Sequence, residues 1–107
     1  MRIFISTPVT GHDEKKQREK ADKVKMALSK KGWEVCNPFD IVPDVDNPTW
    51  FDYVKKDLEE LAKCDAIFLC NGWRHSCGCR IENEYAEFYG KKRYFEYVEL
   101  PQSYWDV

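Results

Sequence analysis

Short apolar runs alternate with amphipathic, charged stretches along this chain, and that alternation constrains its fold more than any other feature. Ile3 to Ser6 reads as a short buried strand, halted by Thr7-Pro8 and the later Gly11. From Asp13 the sequence becomes strongly charged, with Ala21, Val24, Ala27 and Leu28 on one helical face and Lys30-Lys31-Gly32 as a stop signal. Trp33 to Cys36 is a second short strand, followed by "NPFDIVPDVDNP", a Pro- and Asp-rich loop of the length that often carries function. Asn47 or Thr49 caps the next helix, which has Pro48 at its start and runs to about Lys63. Asp65 to Cys70 is the third strand, Ser76 to Tyr89 a helix stopped by Gly90, and Arg93 to Val98 a fourth strand. Strand and helix in strict alternation predict an α/β domain with a mostly parallel sheet, covered on both faces by right-handed crossovers.

The 107 residues suffice for one domain with a single core, and a hydrophobic content of 43% favours a packed globule over a disordered chain. The longest apolar run, Ala66 to Cys70, is far too short to span a membrane, so no membrane partner is expected. The N-terminal stretch lacks a signal-peptide layout, which points to the cytoplasm and to reduced thiols for the five cysteines. A net charge of −2 and an aromatic tail without basic interleaving argue against a nucleic acid polymer as partner. That tail, beyond about Val98, reads as a docking or dimer segment and is otherwise unassigned.

In parallel α/β sheets the ligand crevice lies beyond the carboxyl ends of the strands. Two loops qualify by position, "STPVTG" after the first strand and "NGWRHSCG" after the third, both rich in Gly and hydroxyl groups. Two carboxylates stand near them. Asp57 shares a helical stripe with Trp50, Tyr53, Val54, Leu58 and Leu61, which spacing predicts to be buried. A carboxylate there is costly unless it is paired or lines a cleft; a helix-edge residue or a lysine partner is the plain alternative. Glu82 lies in the early turns of its helix, where the positive helix end should keep it ionised, a placement that simple helix stabilisation would also explain. Together they suit a glycosidic bond cleaved by one carboxyl that donates a proton and another that attacks.

Cys70, His75, Cys77 and Cys79 invite a metal reading, but Cys77-Gly-Cys79 lacks the gap of common zinc knuckles, and no metal or other cofactor is expected. Cys77 or Cys79 at a helix N-terminus, with His75 nearby, is a further candidate nucleophile.

The segments "IFISTPVTG", "DLEELAKCDAIFL" and "GWRHSCGCRIENEYAEFYGKK" together resemble the nucleoside 2-deoxyribosyltransferase superfamily, in particular its small, often phage-encoded members. The resemblance runs from the first strand to the fourth and implies a flavodoxin/Rossmann-like three-layer sandwich with four or five strands. It places Glu82 as the nucleophile and Asp57 as the residue that assists the leaving base. Ser76 stands where transferases carry a sugar-binding aspartate and 5′-monophosphate N-glycosidases a phosphate-binding serine. Thr7, Thr10 and Gly11 match the first loop that lines the pocket, and Gly78, with Arg74 or Arg80, falls beside the phosphate position. Trp73 is a candidate wall for the base. Phe4 departs from the pattern, since many members carry there a tyrosine that hydrogen-bonds the nucleophile. The family also implies a homodimer or higher homo-oligomer. The expected activity is cleavage of the N-glycosidic bond of a nucleoside 5′-monophosphate; deoxyribosyl transfer between nucleosides and ligand binding without turnover are the alternatives.

Overall fold

The computed structural model of the chain describes residues 1–8 and 13–96. The expectations for Thr10, Gly11 and the tail beyond Val98 therefore lie outside the described residues.

Four strands form one all-parallel sheet: β1 (Arg2–Ser6), β2 (Glu34–Cys36), β3 (Ala66–Leu69) and β4 (Lys92–Phe95), in the spatial order β2-β1-β3-β4. The connections carry α1 (Glu14–Lys30), α2 (Trp50–Ala62) and α3 (Cys77–Phe88). Side-chain alternation along the strands divides the core into two layers. Ile3, Ile5, Ala66 and Phe68 face α1 and meet Val24 and Leu28. Phe4, Ile67 and Leu69 point the other way, onto Leu61 of α2 and Ala86 of α3. The result is the expected three-layer α/β sandwich, with β1 and β3 at its centre, β3 buried throughout and β1 buried from Ile3 to Ser6.

Local chemistry sets the element ends. Asp13 caps α1 by accepting the Lys15 and Lys16 amides. Thr49, rather than Asn47, caps α2 through a reciprocal capping box with Asp52. Gly72 takes φ 90°, a left-handed conformation that a residue with a Cβ seldom adopts, and opens a 3₁₀ turn at Trp73–His75. The Asn71 amide before it donates to buried Glu96 at 2.8 Å, and Glu96 also pairs with Lys20 of α1. The turn after β3 is thus tied to both α1 and the end of β4.

One packing expectation fails. Val54 and Leu61 are buried and Leu58 partly so, but Trp50 is 49% and Tyr53 44% exposed. These two aromatics line a cavity instead of packing in the core. Helical spacing identifies the inward stripe without saying whether it meets packed side chains or a cleft.

Candidate active site

A cavity of about 350 Å³ opens at the carboxyl ends of the strands. Each connection contributes to it: Thr7 after β1, Phe39, Ile41 and Val42 after β2, and Ser76, Gly78 and Cys79 after β3. Glu14 and Arg18 come from α1; Trp50, Tyr53, Val54 and Asp57 come from α2. Glu82, one turn further along α3, completes it. Four of the six described site candidates, Thr7, Ser76, Asp57 and Glu82, thus converge with a fifth, Gly78.

Glu82 is 5% exposed. Its Oε1 accepts a hydrogen bond of 2.6 Å from Ser6 Oγ, and its carboxyl lies within hydrogen-bond reach of Asp57. Burial first, then the negative charge of Asp57, push the Glu82 carboxyl well above the usual carboxylate range. Burial also pushes Asp57 up to about 6, against a lowering hydrogen bond from Glu82. The two carboxyls titrate as one coupled pair, with burial raising both and favouring a proton held between them. The sequence-based expectation of an ionised Glu82 is therefore reversed. Glu82 is the sixth residue of α3, beyond the first turn in which the helix end acts, and desolvation outweighs what remains of that field.

Ser6 is the residue that sequence reasoning missed. Phe4 is fully buried in the core, so no hydroxyl reaches Glu82 from that position. The last residue of β1 supplies one instead. A polar side chain ending an otherwise apolar strand, at the edge where the fold places ligands, was the available signal.

Ser76 caps α3, its Oγ accepting the Cys79 amide at 3.4 Å, and it remains able to donate its own proton into the cavity. Gly78 borders open space, since a Cβ built there would meet nothing within 4 Å. Thr7 is buried, and its Oγ1 has no hydrogen-bond partner among the described residues. A buried, unpaired hydroxyl on a cavity wall is the kind of donor that a polar ligand satisfies.

Other expectations separate from the site. Trp73 packs on Phe95, with ring centroids 5.7 Å apart, against the core layer beneath α2 and α3, and does not line the cavity. Arg74 lies over the Trp73 ring, and neither it nor Arg80 reaches the cavity. Cys70 and Cys79 are buried while Cys77 is exposed, and no group of three or more His, Cys, Asp or Glu gathers to hold a metal among the described residues. Burial, followed by the nearby Glu82 charge, pushes the Cys79 thiol up to about 11, which leaves it protonated and a poor nucleophile.

A family model described as "Domain of unknown function (DUF4406)" matches residues 1–95. No protein of curated function gives a significant sequence match. Among solved structures, a CMP N-glycosidase from Clostridium botulinum superposes with a TM-score of 0.60 at 24% identity, over 96% of this chain and 76% of that one. A 2-deoxyribosyltransferase from Bacillus psychrosaccharolyticus superposes with a TM-score of 0.68 at 19% identity, over 95% and 77% of the two chains. A third, from Leishmania mexicana, gives 0.66 at 20% identity, over 88% of this chain and 62% of the other. The fold is that of the deoxyribosyltransferase-like proteins, as the sequence resemblance implied.

Proposed function

The chain belongs to the DUF4406 family, and from the cavity at its strand ends we propose that it cleaves the N-glycosidic bond of a nucleoside 5′-monophosphate. The observation that carries this reading is the pairing of half-buried Asp57 with buried Glu82, with Ser6 bound to one of the Glu82 oxygens.

A hydrogen bond between the carboxyls lets their shared proton cross from Glu82 to Asp57. That transfer leaves Glu82 anionic and Asp57 able to act as an acid. A Glu82 oxygen then attacks the anomeric carbon, the bond from that carbon to the base nitrogen breaks, and Asp57 passes its proton to the departing base. Water next attacks the glycosyl-enzyme, releasing sugar phosphate, restoring the Glu82 carboxylate and returning a proton to Asp57. Contact between the carboxyls supports direct attack. A mechanism that activates water in a single displacement separates them by about 6.5–9.5 Å to make room for it. The hydroxyl of Ser76 and the amides at the start of α3 would hold the phosphate, as helix N-termini hold anions. The Thr7 hydroxyl would meet the sugar or its phosphate, and Tyr53, Trp50 and Phe39 offer an aromatic surface for the base.

A second base in place of water would make the same intermediate a transferase. The likeness to two deoxyribosyltransferases favours keeping that reading. Incubating the protein with a panel of nucleotides and nucleosides, with and without a second free base, tests both. Free base from monophosphates is the expected product. Exchange of base without net hydrolysis would select the transferase, and binding with neither product would leave a nucleotide-binding module.

A further inference from the structure

Arg18 is the only cation among the described residues lining the cavity, which otherwise carries the carboxyls of Glu14, Asp57 and Glu82. It lies on α1 with its guanidinium carbon 4.8 Å from the centroid of the Phe39 ring. Its Nε faces Glu14 at 3.5 Å, and among the described residues the two Nη groups meet no acceptor. Glu14 and Phe39 flank the guanidinium, whose side chain is 53% exposed, and its outer donors face no acceptor among the described residues.

The sheet order says which part of a ligand this fork would meet. Phe39 follows β2 and Ser76 follows β3, with β1 between them. The two walls are thus two strand spacings apart, on the order of 10 Å. A nucleotide with its phosphate on the start of α3 and its anomeric carbon at Glu82 carries its base toward the β2 side. We propose that Arg18, braced on Phe39, reads the base and selects those presenting two adjacent acceptors, cytosine (O2 and N3) or guanine (O6 and N7). A planar fork matches such an edge with two parallel hydrogen bonds. Adenine flanks its ring acceptors with an amino donor, and uracil separates its two carbonyls by N3–H, so neither satisfies both donors.

This assignment rests on the nucleotide reading of the site, and its test reads binding independently of turnover. The 5′-monophosphates of cytosine, guanine, adenine and uracil are titrated calorimetrically into the wild-type protein, Arg18→Met and Arg18→Lys. The wild type should bind a cytosine or guanine nucleotide about tenfold or more tightly than the adenine and uracil ones. Arg18→Met should abolish that preference. Arg18→Lys should abolish it too, because an ammonium keeps the charge but not the fork. A wild type without base preference overturns the proposal, as does a uniform loss across all four nucleotides in Arg18→Met, which would place the guanidinium on phosphate. Base release is followed on the same samples. Arg18-dependent preference without release would remove the glycosidase reading and leave this one standing, whereas absence of all binding removes both.

Discussion

Glu82 combines nearly complete burial with a single donor among the described residues, the hydroxyl of Ser6, and a neighbouring carboxyl. A carboxyl in that setting is held mostly as the acid and becomes a nucleophile only when its proton has somewhere to go. In the proposed mechanism Asp57 is that place. Glu82→Gln keeps the shape and the Ser6 contact but has no anion to attack with, so base release should disappear while nucleotide binding by calorimetry persists. Near-normal turnover in this variant would remove Glu82 from the nucleophile role. Asp57→Asn should fold, because Asp57 faces the cavity, and should lose turnover of natural nucleotides. The loss should be smaller for a nucleotide whose base departs readily without protonation. Equal losses on both substrates, measured as kcat/KM, would assign Asp57 to positioning.

At the scale of elements, helix starts do two jobs in this fold. The capping box of Thr49 and Asp52 begins the helix that delivers Asp57, and it lies apart from the cavity lining. Thr49→Ala should cost about 1 kcal/mol of stability. For a domain of this size that is a fall in Tm of about 4–8 °C, with base release intact below the new midpoint. Ser76 begins the helix that delivers Glu82 and also borders the cavity. Ser76→Ala should therefore show two separable effects. Thermal melting should report a lost cap of about 1 kcal/mol. Calorimetry should report a loss of about 1.5–3 kcal/mol in binding the 5′-monophosphate, with little change for the matching nucleoside, because only the former offers a charged acceptor. Equal losses for both ligands would place Ser76 on the sugar or leave it as a cap alone.

For the whole molecule, the carboxyl pair ties stability to pH. Both groups bind a proton more tightly folded than unfolded, so rising pH removes protons that the fold favours. Their contribution is fully present below the ordinary carboxyl value of 3.8 and is lost as pH rises through about 6 for Asp57, with Glu82 extending the loss upward. Asp52 runs the other way. Its capping hydrogen bonds to Thr49 lower its pKa, so its contribution is lost only at more acid pH. Thermal melts across mildly acid to neutral pH should therefore show Tm falling as pH rises, and Asp57→Asn should flatten the slope. A wild-type profile that is flat over this range would mean the pair is solvated and not coupled.

The alternation of apolar strands and amphipathic helices was enough to predict a parallel α/β sandwich, because strand and helix periods in sequence dictate which faces must be buried. Runs such as Ile3–Ser6 and Ala66–Leu69, buried on both faces, permit little besides the central strands of such a sheet. The resemblance carried Glu82, Asp57 and Ser76 to one place, and the cavity contains all three. Tertiary structure alone decided the rest. It raised the proton affinity of Glu82 and Asp57, because that depends on water excluded by residues distant in sequence. It brought Ser6 to Glu82 across 76 positions, and it turned Trp73 away from the cavity while bringing Arg18 and Phe39 to its wall. Sequence spacing fixes the direction of a side chain about its own helix or strand. Desolvation, proton sharing and cavity lining depend on what other elements place opposite, and only the packed fold supplies that.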